Sequence, residues 1–226
     1  MTWVKICGTT NLEDARAATD AGADALGFVF YEKSPRYIDP AAVNKIVAKL
    51  PPGIEKVGVF VEQPLDRVRE IVTQAGLTAV QLHAESYLGR MEEVVRLKKH
   101  APSLKLIVVF PAARLTETRP LFDSDETKQL FHALMLDSFS ATQPGGTGKT
   151  FDWVQSQSAV RGVAKLLPVI VAGGLNPLNV REAIRILQPY GVDVASGVER
   201  EPGRKDPDKV RAFVRAVRDA EKEKTA

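Results

Sequence analysis

The chain has 226 residues, 44% hydrophobic and 26% charged, with 31 basic and 28 acidic side chains and a net charge of +3. That length suits a single α/β domain spanning residues 1–226. Interleaved charges with no basic–aromatic stripe give no support for a nucleic-acid partner. One cysteine excludes an intrachain disulfide or a multi-cysteine metal site, and no run approaches the roughly 18 apolar residues of a membrane span.

Short β-branched runs alternate with helical patterns along the whole chain. "WVKIC" (3–7) is followed by "NLEDARAATDAG", where Asn11 is the expected N-cap and Gly22 the stop. "ALGFVF" (25–30) leads to a helix opened by Asp39 with Pro40 at its first position. "KVGVFV" (56–61) precedes a helix from Pro64 to Gly76, and "TAVQLH" (78–83) one running to about His100. After "LKLIVVF" (104–110) the helical periodicity is weak, so the fifth helix is expected to be short or irregular. "ALMLD" (133–137) is followed by a glycine loop and the helical "FDWVQSQSAVRGV". "PVIVA" (168–172) comes next, then "GGLNPLNVREAIRIL", with Pro177 expected at the first helical position. "GVDVAS" (191–196), a loop and "DPDKVRAFVRAVRDAEKEK" complete the series. Eight strand–helix units in this order predict a (β/α)8 TIM barrel. A doubly wound sheet is the alternative, but no G-x-G-x-x-G follows the first strand.

"PGGTGKT" (144–150) superficially matches a nucleotide-binding P-loop. The pattern requires glycine at 143, where Gln143 stands, and Pro144 has no N–H to donate. A glycine loop ahead of a helix is the better reading. His83, His100 and His132 lack the i, i+4 spacing of a zinc helix, and no metal is expected. "MTWVKICG" has no basic segment leading into a long apolar one, so a cytoplasmic protein without a signal peptide is expected.

In a TIM barrel, chemistry sits at the C-terminal ends of the strands. Cys7 and Asp137 are the proton-transfer groups there that stand out, on strands far enough apart to flank a small substrate. Either also has a plain structural reading, as a buried small hydrophobe or a turn former. Strand alternation puts Lys5 on the same face as Cys7, and a lysine inside a barrel requires a carboxylate. Asp193, on the strand that closes the ring, is the expected partner. "AGG" (172–174) and "SGV" (196–198) lie where barrels commonly bind phosphate through backbone N–H groups.

These features occur together in one family. "KICG", "GFVF", "SPR", "VGVF", "QLH", "GGTGKTFDW", "AGGLNP" and "SGVEREPGRKD", in this order, resemble the phosphoribosylanthranilate isomerases of tryptophan biosynthesis over essentially the whole chain. The resemblance implies a barrel of the ribulose-phosphate-binding type and a cofactor-free Amadori rearrangement of a small-molecule phosphosugar. By the same resemblance Asp137 is the general acid and Cys7 the general base, and Arg36 meets the anthranilate carboxylate. The substrate-binding set is then Lys5, Arg36, Gln81, Gly146, Gly173, Gly174, Asp193, Ser196 and Gly197, on a monomer or homodimer. Lys5 is expected to help depress the Cys7 thiol toward neutrality. His83 is expected to be structural or a peripheral contact. Ala84 and Ala195 replace the family's usual glycine and serine. Two other phosphosugar enzymes on this fold are alternatives, indole-glycerol-phosphate synthase and the histidine-pathway aminoaldose isomerase. Cys7 argues against the latter, which would be expected to carry two carboxylates. A non-catalytic phospholigand module is disfavoured by Cys7 and Asp137 together.

Overall fold

Inward and outward residues alternate along β1 (Trp3–Ile6), and the same parity recurs around the ring. The computed structural model describes residues 1–116, 122, 124–138 and 150–225. Seven more parallel strands follow: β2 (Ala25–Val29), β3 (Glu55–Phe60), β4 (Ala79–His83), β5 (Lys105–Pro111), β6 (Ala133–Asp137), β7 (Val169–Val171) and β8 (Gly191–Val194). They form a closed barrel in sequence order. Pairing of β1 with β8, with Lys5 opposite Asp193, closes the ring.

Outward residues such as Leu26, Phe28, Leu82, Val108, Leu134 and Val192 are buried under the helices. Each fully buried aliphatic of this kind contributes roughly 1.5–3 kcal/mol. Inward residues Ala25, Val57, Ala79, Ile107, Val109, Ala133, Met135, Ile170 and Ala172 fill the interior with an apolar plug, with Trp3 against it. The barrel is therefore a packed core beneath a polar mouth.

Local chemistry sets the helix boundaries. Asn11 caps α1 (Leu12–Asp20) by accepting from the Asp14 N–H, and Gly22 follows at φ +92°. Asp39 caps α2 (Pro40–Val47), which has proline at its first position as expected. In α3 (Leu65–Ala75) the chain leaves through Gly76 in the left-handed region. The fourth helix is broken where a continuous one is expected, into α4 (Ala84–Tyr87), a 3₁₀ turn (Leu88–Arg90) and α5 (Met91–His100). Gly89 lies at the break, and Tyr87 and Arg90 both donate to the Gln63 carbonyl. In the fifth unit the described residues hold a 3₁₀ turn (Ala112–Arg114) and the six-residue α6 (Asp125–Leu130), which agrees with a short, irregular element.

Asp152 caps α7 (Trp153–Ala164). The next helix, α8, begins at Val180 and ends at Leu187, later than the expected start at Pro177. Asparagine side chains take up the backbone groups of that segment instead. Asn179 accepts from the Asn176 N–H and donates to the Gly174 carbonyl, and Asn176 accepts from the Leu178 N–H. Asp206 caps the terminal helix α9 (Pro207–Thr225). The segment expected to be a plain loop after β8 contains a hairpin, β9 (Glu199–Glu201) with β10 (Arg204–Lys205). It turns at Pro202-Gly203, and Gly203 has φ +79°.

Candidate active site

The upper inward positions of β1, β4, β6 and β8 are polar (Lys5, Gln81, Asp137 and Asp193), whereas the lower ones are apolar. Lys5 is wholly buried, and its Nζ donates to Asp193 Oδ1 at 2.8 Å and to Gln81 Oε1 at 2.9 Å. The expected Lys5–Asp193 pair therefore forms, with Gln81 as an added acceptor. Burial works against the ammonium, but Asp193 and Cys7 outweigh it and hold Lys5 above the ordinary lysine value. These three residues form a charged floor beneath the mouth.

Cys7 lies just past the end of β1, its N–H donated to the Val194 carbonyl at 2.8 Å. Val29, Val59, Tyr31 and Ala195 wall Cys7, a buried residue with 7% exposure. Gly27 makes room for it: a Cβ there would sit 2.7 Å from Cys7 Sγ and 3.0 Å from Lys5 Cε. The expected depression of the thiol is not what this environment produces. Burial pushes Cys7 above the ordinary thiol value, assisted by Asp193, and outweighs the opposing pull of Lys5 and Lys205. The ionised thiol is correspondingly scarcer at neutral pH and more basic.

Asp137 ends β6, half-buried. One cleft is lined by Asp137, Gly173, Gly174, Leu175, Asp193, Val194, Ala195 and Ser196, so the carboxyl shares a wall with both expected phosphate loops. Gly173 and Gly174 have φ of +83° and +65°, a conformation that L side chains avoid. Gly197 lies behind them, where a Cβ would be 1.9 Å from the Leu175 carbonyl oxygen, and it packs the two loops together. Gly146 lies outside the described residues, as does most of the glycine loop it belongs to.

Arg36 is tied to Glu199 by a bidentate pair, Nε to Oε1 at 2.9 Å and Nη2 to Oε2 at 2.7 Å. Nη1 makes no hydrogen bond among the described residues, which leaves one edge of the fork for a ligand. Its stem crosses Gly8, where a Cβ would meet Arg36 Cδ at 2.6 Å. His83, buried at the end of β4, is lowered to about 4 by burial and by the charge of Lys5, so it is neutral at pH 7.

Sequence reasoning missed Glu199, Lys205 and Asp14. Lys205 is wholly buried and donates to Glu199 Oε1 at 2.9 Å, to the Ala195 carbonyl at 3.3 Å and to the Cys7 carbonyl. The Asp14 carboxylate accepts from the Lys205 N–H at 2.9 Å and from Asn11 Nδ2 at 2.7 Å. The signal was "EREPGRKD" itself: a proline-glycine turn between opposite charges is a hairpin pattern that can pair its flanks.

Among the described residues, no helix is long and apolar enough to cross a membrane, and no group of three potential metal ligands occurs. The family profile for N-(5'-phosphoribosyl)anthranilate (PRA) isomerase matches residues 4–216. An N-(5'-phosphoribosyl)anthranilate isomerase of Geobacter sp. (strain M21) is 43% identical over 217 residues, 95% of this chain and 97% of its own. The solved phosphoribosyl anthranilate isomerase of Thermotoga maritima is 36% identical with a TM-score of 0.81, covering 97% of this chain and 100% of its own. A second solved isomerase, 35% identical with a TM-score of 0.80 over the same shares, holds reduced 1-(o-carboxyphenylamino)-1-deoxyribulose 5-phosphate. A polar barrel mouth with a thiol, a carboxyl and two glycine loops thus coincides with full-length similarity, and the chain belongs to the N-(5'-phosphoribosyl)anthranilate isomerase family.

Proposed function

We propose that this protein catalyses the Amadori rearrangement of N-(5-phosphoribosyl)anthranilate to 1-(2-carboxyphenylamino)-1-deoxyribulose 5-phosphate, a step of tryptophan biosynthesis, with Asp137 as acid and Cys7 as base. Support comes above all from the cleft that Asp137 shares with Gly173, Gly174, Asp193, Ala195 and Ser196, with Cys7 packed in one cluster with Ala195.

Asp137 gives its proton to the furanose ring oxygen as the C1–O bond breaks, and the anthranilate nitrogen lone pair forms a C1=N iminium. Cys7 then takes the proton from C2, and the C–H electrons flow into the iminium to give an enolamine. Protonation at C1 and loss of the C2 hydroxyl proton yield the ketone, so substrate and product are isomers. The iminium is itself the electron sink, and the reaction requires no prosthetic group. Backbone groups of Gly173, Gly174, Ser196 and Gly197 hold the phosphate. Gly146 belongs to the same reading, as part of the loop that closes over the substrate. The Nη1 edge of Arg36 meets the anthranilate carboxylate. Lys5 and Gln81, being buried and bonded to one another, act from the floor through charge and alignment with Asp193.

The test is turnover of freshly prepared phosphoribosylanthranilate, followed by loss of anthranilate fluorescence. Asp137→Asn is expected to lower kcat by about 10²–10⁴-fold, the usual worth of a general acid. An Asp137→Asn protein as fast as wild type would remove Asp137 from the acid role.

A further inference from the structure

Glu199 sits in none of the positions that touch the proposed reacting atoms, yet it joins three loops of the mouth. Oε1 accepts from Arg36 Nε at 2.9 Å, Lys205 Nζ at 2.9 Å and the Gly203 N–H at 3.3 Å, and Oε2 accepts from Arg36 Nη2 at 2.7 Å. Its side chain is 4% exposed and that of Arg36 15%, so the pair is largely shielded from water. Lys205 in turn binds the Cys7 and Ala195 carbonyls, and the Arg36 stem lies across Gly8 next to the thiol.

Resting on the isomerase reading, we propose that Glu199 is a positioning residue that sets the preference for a carboxylated aromatic amine. It fixes the Arg36 fork beside Cys7 with the Nη1 edge presented to the substrate carboxylate. Two physical points carry this. A guanidinium on a flexible stem loses rotamer freedom on binding an anion, and a partner that already holds it in place removes that cost. The fork also offers five N–H groups, and Glu199 engages Nε and Nη2, which restricts where a second carboxylate can approach. Burial alone would raise the Glu199 carboxyl, but hydrogen bonds and charge from Arg36 and Lys205 hold it below the ordinary glutamate value. It is therefore an acceptor at every pH at which the enzyme would work. A glutamine in its place must turn its NH₂ toward one of these donors, so the arrangement cannot survive intact.

The readout is a ratio. kcat/KM is measured for phosphoribosylanthranilate and for the analogue made from aniline, which lacks the carboxylate. In wild type the first exceeds the second. In Glu199→Gln the ratio falls by about tenfold or more, the worth of a charged hydrogen bond, mainly through KM for the carboxylated substrate. Arg36→Ala collapses the ratio, and adding Glu199→Gln to it lowers the ratio no further. Glu199→Asp keeps the charge but is one methylene shorter, and it serves as the second variant with the same expected direction should Glu199→Gln fail to fold. An unchanged ratio, or equal losses on both substrates, would overturn the proposal and leave the isomerase reading standing. Wild-type protein inert toward both compounds would overturn that reading and this inference with it.

Discussion

A lysine, a glutamine and an aspartate joined by two hydrogen bonds would be costly inside an apolar barrel if any one lacked its partner. His83 is held neutral first by its own burial and then by the charge of the Lys5 ammonium. The folded value of about 4 lies below the ordinary histidine value of 6.5. Protons therefore favour the unfolded chain, and stability present above pH 6.5 is lost as pH falls from there toward 4. The full contribution is about 3 kcal/mol. Urea unfolding at a series of pH values is expected to show this loss in wild type and a flatter curve in His83→Gln over the same window, where His132, also lowered by burial, keeps part of the slope. The Glu199 carboxyl, held below the ordinary glutamate value, acts at lower pH and does not mask the effect. Equal slopes for both proteins between pH 6.5 and 4.5 would contradict the account.

At the scale of elements, two strands and a hairpin build the base. β1 carries Lys5 and leads directly to Cys7, β2 gives way to them at Gly27, and the hairpin β9–β10 sends Lys205 under the Cys7 peptide. Gly27→Ala would force its Cβ to 2.7 Å from the sulfur unless the thiol moves. Misplacing a catalytic group by about 1 Å costs about 10²-fold in rate. Turnover of Gly27→Ala is expected to fall by about that factor, and the urea midpoint to fall with it, because the Cβ also comes to 3.0 Å from the Cys7 backbone and from Lys5 Cε. Wild-type turnover would show that the sulfur position does not matter. Strands were legible because parallel barrel strands are buried on both faces and read as continuous apolar runs. The caps at Asn11 and Asp39 were legible because side-chain oxygens there have one obvious use. The β9–β10 hairpin was signalled only by its proline-glycine turn, and the pairing of its charges was not legible, since they look the same whether solvated or paired beneath a loop. The break before α5 and the late start of α8 were hidden because both depend on side-chain hydrogen bonds: Tyr87 and Arg90 of the broken segment reach out to the Gln63 carbonyl, and asparagines within the turn before α8 take up its backbone groups.

Across the whole molecule, the barrel separates two tasks along its axis. The lower interior is apolar and packed, and the mouth carries Cys7, Asp137, Asp193 and the glycine loops on strands that meet only when the ring closes. Sequence placed Cys7 and Asp137 at strand ends from the order of elements alone. It could not supply the burial that raises the Cys7 thiol, because that arises from Val29, Val59, Tyr31 and Ala195 on three other parts of the chain. The same burial sets up the strongest test of proton removal by this sulfur. Cys7→Ala deletes the proposed base and leaves the charged floor and the glycine loops in place. Its turnover of phosphoribosylanthranilate and its binding of reduced 1-(o-carboxyphenylamino)-1-deoxyribulose 5-phosphate are measured together. Proton removal by this sulfur predicts a loss of about 10²–10⁴-fold in kcat with affinity for that compound within a few-fold of wild type. Retention of wild-type kcat by Cys7→Ala would contradict it.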